Sequence, residues 1–433
     1  MGASQRQRAA EVLARGAPGP AEAAPEQTSA PPGWRSARRL SLGVLLVYLA
    51  ATVAVGISTR YPGVVASGNE TTVDRAIFTA LNAATLTGFQ QTMGVREMSA
   101  TGWIGPTLLL ALTFAGSLLS LMVGGLAAAR ILRLRHTTWQ IIRAALVSVL
   151  LAAVAGGAVL VGSGRIVFEA VFQAASAFGN SGLWLGAAPS TTAAASYLVL
   201  LPLAVLGGLG LPVLIELSDR MFGGLPLSRH SRVVLALAAI VYLIGLAALV
   251  AAQTPAAAGG GWPAWHDTLA SCSVAAINSR TAGMPFESPA AFTAAGQWVL
   301  MALMLIGAAP AGTAGGLKVT TFWHLAAGVR DALAGRAVHR AAGIAAVWVC
   351  IYLLVLFAGF LLLLVAVPQV PADRLLFLTT SAIGNVGLSH DPVSITGSGL
   401  LVLSGLMLFG RLAPLAVLWW MAETTTDAQV AVG

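Results

Sequence analysis

The chain has 433 residues, of which 57% are hydrophobic and only 9% charged, against roughly 25% charged in an average soluble domain. The formal net charge of +8 invites a nucleic-acid reading, but the arginines crowd into connections on one side of a series of apolar segments, so the basic balance is a positive-inside bias rather than a nucleic-acid surface. The two cysteines, Cys272 and Cys350, both lie in apolar segments; they supply neither a disulfide framework nor a metal pattern and read as packing residues.

A membrane helix needs about 20 predominantly apolar residues. The sequence reads as eight such segments and four that are too short to cross. Residues 1–39, rich in Ala, Pro, Arg and Gln, read as a disordered cytoplasmic tail rather than a cleaved signal. Repeat one, 40–133, has a span at 40–58, a short apolar segment at 73–85 and a second span at 102–132. Repeat two, 138–221, has a span at 138–162, a short segment at 165–177 and a span at 192–221. Repeat three, 231–330, has a span at 233–253, a short segment at 264–277 and a long, interrupted stretch from 289 to 330. Repeat four, 341–422, has a span at 344–367, a short segment at 371–383 and a span at 397–422, and residues 423–433 form a cytoplasmic C-terminus.

Each short segment would be about 20 Å long as a helix, too short for a hydrocarbon core of about 30 Å. It must enter and return. An acidic residue stands near each start: Asp74, Glu169, Asp267 in a first turn, and Asp373 in a first turn, which suits the positive end of the helix dipole. After each comes a glycine followed by a bulky apolar residue: Gly88-Phe89, Gly182-Leu183, Gly283-Met284 and Gly387-Leu388. Ten residues before three of these glycines is a phenylalanine, Phe78, Phe172 and Phe377, with Ser273 breaking the series. The fold class is therefore an all-α polytopic membrane protein, a fourfold repeat of helix, half-helix, glycine turn and helix around one pore, with both termini cytoplasmic.

Non-helical backbone at membrane depth is tolerated where it is buried in protein or lines an aqueous cavity. Four such turns around an axis, with carbonyls facing inward and four negative helix ends behind them, suit a monovalent cation. The turns hold no ring of acidic side chains, which disfavours a divalent-selective filter. The candidate binding residues are Thr87, Gly88, Asn180, Ser181, Gly182, Thr281, Ala282, Gly283, Asn385, Val386 and Gly387. Arg280 more naturally braces the filter from behind, since a guanidinium on the axis would repel the ion.

The stretch Gly307-Ala-Ala-Pro-Ala-Gly-Thr-Ala-Gly-Gly-Leu-Lys318 interrupts the last span of repeat three. Helix is disfavoured there by about 1 kcal/mol per glycine and 3 for proline, so two helical pieces around an intramembrane loop at 307–317 are expected. Lys318 is the one lysine in the chain; it either acts within the membrane or snorkels to its cytoplasmic face.

These stretches, with Asn278-Ser279-Arg280-Thr281-Ala282-Gly283-Met284, Gly384-Asn385-Val386-Gly387-Leu388-Ser389 and Gly207-Gly208-Leu209-Gly210-Leu211-Pro212, resemble the membrane subunit of the Trk/Ktr/HKT superfamily of potassium transporters. The resemblance implies four M1–P–M2 repeats in pseudo-fourfold arrangement, eight transmembrane helices with four re-entrant half-helices, and channel-like potassium uptake. It implies that Gly312, Thr313, Ala314, Gly315 and Gly316, with Lys318 and Arg411, form a gate beneath the filter. Glycine at all four filter positions goes with potassium in that family. Ala308, Ala309, Ala311 and Met284 depart from its usual residues. Trk-type relatives carry two further N-terminal spans not seen here, so the likeness is to the Ktr type. That implies a homodimer in the cytoplasmic membrane, in contact with lipid and docked on a cytoplasmic ring of nucleotide-binding regulatory subunits. No cofactor is expected in this chain; potassium is the transported ion and sodium a candidate activator.

A sodium- or proton-coupled secondary transporter is the main rival. It would want a carboxylate in the membrane interior, and Glu216 is the nearest candidate. An intramembrane hydrolase is more remote: the six histidines include no His-Glu-x-x-His pair, and Gly387-Leu-Ser-His390 belongs to the fourth repeat. No enzyme activity and no nucleic-acid partner are expected.

Overall fold

In a computed structural model, residues 34–61, 64, 72–91, 103–134, 136–257, 261–424 and 430–431 are described. The expected tail up to residue 33 and most of the C-terminus beyond 424 lie outside them. The residues before Ser41 form a unit of their own, described only as the start of the first helix, and the unit from Ser41 onward holds every other element.

Among the described residues, six helices are long and apolar enough to cross a bilayer. They are α1 (Trp34–Ser58), α3 (Ile104–Ile131), α4 (Thr138–Gly162), α8 (Arg229–Ala257), α12 (Arg340–Ala366) and α14 (Ser398–Thr424). Between them lie α2 (Val73–Ala84), α5 (Val167–Gly179), α9 (Gly261–Ile277) and α13 (Ala372–Ile383). At 12, 13, 17 and 12 residues these rise about 18 to 26 Å, short of the hydrocarbon thickness.

The long apolar run of repeat two is where the structure departs most from the sequence reading. The sequence predicts a single span at 192–221; the run instead divides at Gly210 into α6 (Leu201–Leu209), preceded by a π turn at Ser196–Leu200, and α7 (Leu211–Gly223), with a bend of 108°. The cause is tertiary. Gly210 has φ +84 and a Cβ there would overlap the Pro310 carbonyl oxygen, while the Leu211 amide donates to the Ala311 carbonyl at 3.0 Å. The last span of repeat three is also divided, into α10 (Ala294–Leu305) and α11 (Val319–Leu333), around the loop at 306–318.

Smaller differences have local causes. Helix α9 begins at Gly261, so Asp267 lies in its second turn rather than its first. Cys272 is buried but Cys350 is exposed on α12, so only Cys272 packs as expected. The half-helix phenylalanines Phe78, Phe172 and Phe377 are among the largest fully buried side chains. Where the third repeat has Ser273 instead, its hydroxyl meets the Tyr242 hydroxyl of α8 at 3.0 Å.

The first and fourth repeats are fastened together at one edge. Arg75 donates to the carbonyls of Val393 and Ile395, each at 2.9 Å, and the Gly397 amide donates to the Asp74 carboxylate at 2.6 Å.

Candidate functional site: a ring of four glycine turns over an intramembrane loop

Each half-helix ends in a tight turn whose glycine has positive φ: +77 at Gly88, +68 at Gly182, +59 at Gly283 and +83 at Gly387. Their contacts close a ring. A Cβ on Gly88 would overlap the Ser181 carbonyl oxygen; one on Gly182 would lie 2.6 Å from the Gly283 oxygen. One on Gly283 would overlap the Val386 oxygen and reach 3.4 Å from the Thr87 oxygen, and one on Gly387 would overlap the Thr87 oxygen. Repeat one therefore meets two, two meets three, three meets four and four meets one. Only glycine allows both the backbone angle and this approach.

Around that ring the other candidate binding residues are buried: Thr87, Ser181 and Asn385 are fully so, as are Ala282 and Val386, with Asn180 nearly so. Leu86, Asn180 and Asn385, two residues before their glycines, have φ of +57, +52 and +51. In the third repeat a π turn at Asn278–Ala282, containing Thr281, takes the place of that left-handed residue. The C-terminal ends of α2, α5, α9 and α13 meet at the ring, so the negative ends of four helix dipoles add there.

The turns are braced by residues that sequence reasoning did not single out. Asn82 accepts from the Phe89 amide at 2.8 Å and donates to the Phe89 carbonyl at 2.9 Å. Asn278 does the same with Met284, at 2.8 Å each way. Ser176 donates to the Leu183 carbonyl at 2.6 Å. The available signal was a polar residue five or six positions before each glycine. Asn278 sits one residue nearer its glycine than Asn82 does, and the π turn absorbs the difference.

Beneath the ring lies the loop of repeat three. Its neck is closed by the Gly307 amide on the Leu317 carbonyl at 2.8 Å and the Val319 amide on the Ala308 carbonyl at 3.0 Å. One side is fixed to repeat two: the amides of Ala309 and Thr313 donate to the carbonyls of Gly208 and Gly207 at 2.9 and 3.0 Å. The Thr313 hydroxyl donates to the Phe178 carbonyl at 2.8 Å and accepts from Asn180 at 2.9 Å. The other side abuts repeat four, where a Cβ on Gly315 would strike the Gly384 carbonyl and the Asn385 side chain. Gly312 presses on the Gly207 and Gly208 carbonyls, and Gly316 turns the chain back with φ +69.

Both candidate cations are buried. Lys318 does not snorkel: its ammonium donates to the Ala314 carbonyl at 2.5 Å, within the loop. Arg411 donates through Nε to the Thr85 carbonyl at 2.7 Å, and through one terminal nitrogen to the Thr313 carbonyl at 2.5 Å and Ser120 Oγ at 3.3 Å. It thus joins the end of the first half-helix to the loop. Arg280 bonds the Ala238 and Gly307 carbonyls at 3.3 and 3.1 Å; it ties α8 to the neck of the loop rather than touching the ring. Glu216 accepts from the Ser228 amide at 2.9 Å and takes no part in this assembly.

Residues 265–425 match the TrkH family of cation transport proteins. The chain is 26% identical over 238 residues to Ktr system potassium uptake protein D of Bacillus subtilis, covering 52% of this chain and 53% of that protein. It is 28% identical over 272 residues to Ktr system potassium uptake protein B of the same organism, covering 60% of each. It thus spans little more than half the length of these curated relatives. In fold it is similar to the crystal structure of the potassium transporter TrkH from Vibrio parahaemolyticus, with a TM-score of 0.67 over 86% of this chain and 82% of that one, at 20% identity.

Proposed function

We propose that this chain, whose residues 265–425 match the TrkH family of cation transport proteins, carries potassium into the cell by channel-like permeation through a carbonyl-lined filter. The observation that carries this reading is the closed ring of four glycine turns. In it, main-chain oxygens from all four repeats converge where the half-helix dipoles add, the arrangement that replaces the hydration shell of an alkali cation. The potassium uptake named for the Ktr relatives supports the choice of ion.

On this reading the eight spans are α1, α3, α4, the bent pair α6–α7, α8, the divided pair α10–α11, α12 and α14, arranged with pseudo-fourfold symmetry and with both termini in the cytoplasm. The loop at 306–318 is the gate, in its closed position. It joins repeats two and four directly beneath the ring, and Arg411 and Lys318 place positive charge beside it, opposing a cation that enters when the loop is seated. The protein works in the cytoplasmic membrane as a homodimer on a nucleotide-binding regulatory ring, which acts by unseating the loop.

The test is rubidium uptake into liposomes reconstituted with the purified chain, against competing potassium or sodium, for wild type and Gly88→Ser. Potassium should block far better than sodium, and the substitution, which forces a side chain against the Ser181 carbonyl, should erode that preference. Uptake indifferent to both competitors and to the substitution would sink the filter assignment.

A further inference from the structure

The bend at Gly210 leaves a gap in the wall of repeat two. The bend sets α7 (Leu214, Ile215, Ser218 and Asp219) as one wall and α6 as another, and a cleft of about 670 Å³ opens between them and α4. Its walls include Leu151 and Ala155 of α4 and Leu203 and Leu206 of α6. Its mouth, at the N-terminal end of α4, carries Gln140, Arg143, His136 and Asp219. Asp219 is taken up by His136, 3.4 Å away, and exposed Arg143 is the full positive charge of the mouth.

We propose that this cleft is a binding site for one anionic phospholipid of the cytoplasmic leaflet, its acyl chain along Leu151, Ala155, Leu203 and Leu206 and its phosphate at Arg143. The argument is the gradient along the cleft: an apolar depth beside exposed, bilayer-facing side chains such as Leu151 and Val154, and a mouth with positive charge at the height where headgroups lie. Arginine suits a phosphate through paired, charge-assisted hydrogen bonds. The site rests on the orientation proposed above, which puts Arg143 on the cytoplasmic side.

The deep end gives the lipid a role. Phe178 lines it, and the Phe178 carbonyl is the acceptor that holds the Thr313 hydroxyl. A chain packed on Phe178 therefore supports the α5 end to which the loop is fastened, and an empty cleft leaves that anchor less constrained.

Native mass spectrometry of the purified chain after exchange into bilayers of phosphatidylglycerol or phosphatidylcholine tests the site without depending on transport. Wild type is expected to retain one phosphatidylglycerol in preference to phosphatidylcholine. Arg143→Gln should lower that preference about fivefold, the effect of one basic residue facing anionic lipid. Ala155→Trp should abolish retention by filling the cleft, while Val154→Trp, on the neighbouring exposed position of the same helix, serves as the folding control and should retain lipid like wild type. Equal retention in Ala155→Trp and Val154→Trp, or no headgroup preference in wild type, overturns the proposal. So does loss of a dimer in Ala155→Trp with lipid unchanged, which would assign the cleft to a second copy of the chain. Because the readout is bound lipid, failure of the potassium reading would leave it standing, and its own failure would leave the filter intact.

Discussion

The Arg411 guanidinium sits 2.5 Å from the Thr313 carbonyl while its Nε holds the Thr85 carbonyl at 2.7 Å. One side chain of α14 thus connects the loop to the end of the first half-helix, and it does so in a buried site. Hydrogen bonds to charged groups contribute about 1.5–3 kcal/mol each, so Arg411→Gln should loosen the loop and also remove a positive charge from the ion's path. The expected outcome is rubidium uptake raised by at least about tenfold, the effect of about 1.4 kcal/mol, with the preference for potassium over sodium kept. Uptake that falls, or that rises with loss of selectivity, would place Arg411 in the filter rather than the gate.

How far the sequence reached is clearest in repeats two and three. Length separates three of the half-helices from spans, since 12 or 13 residues cannot cross a bilayer, whereas α9 runs to 17; the glycines and proline of 307–316 mark a broken span because each opposes helix. A comparable mark stands at Gly207, Gly208, Gly210 and Pro212, which also oppose helix, but it does not fix a bend: what sets one at Gly210 is a contact with Pro310 and Ala311, a hundred residues away in sequence. Lys318 shows the same limit. Its inward turn depends on carbonyls that only the folded loop presents, so the sequence left snorkelling open. The asparagine braces could have been suspected from Asn82 and Asn278, but their partners lie across turns, and the π register of the Asn278 turn is not written in the residue pattern.

Those braces are testable. Replacing Asn82 or Asn278 by alanine leaves a buried amide and carbonyl of Phe89 or Met284 unpaired, at about 1–3 kcal/mol for each group. Both variants should lose thermal stability and show a smaller potassium preference in rubidium competition. Asn82→Asp, which sets a carboxylate oxygen against the Phe89 carbonyl in a fully buried site, should be at least as damaging as alanine. Wild-type selectivity in both alanine variants would remove the braces from the filter's support.

Ala311 carries φ +58 in the loop, a conformation that costs an L-residue about 1–2 kcal/mol and glycine very little. Ala311→Gly should therefore stabilise the seated loop and lower uptake about fivefold. The packing partner is Gly124 of α3, where a Cβ would come within 2.8 Å of the Ala311 backbone. Gly124→Ala should accordingly act in the opposite direction and raise uptake. The two variants measured side by side in liposomes check the sign; effects in the same direction would separate loop strain from gating.

Gly315 and Gly405 supply the sharpest contrast. A Cβ on Gly315 would strike the Gly384 carbonyl and come 2.6 Å from the Asn385 Cβ, all close-packed parts of the fourth turn that have no flexible end to move aside. Gly405 lies inside α14 with nothing within 4 Å of such an atom, so alanine there only gains helix propensity, about 1 kcal/mol. If the loop closes the pathway by seating on repeat four, Gly315→Ala should raise rubidium uptake without changing which ion competes, whereas Gly405→Ala should raise the thermal midpoint and leave uptake alone. A Gly315→Ala protein that stays folded yet takes up rubidium at the wild-type rate would mean that the loop's contact with repeat four does not hold the pathway shut. Gating would then rest on the Thr313 and Arg411 contacts alone.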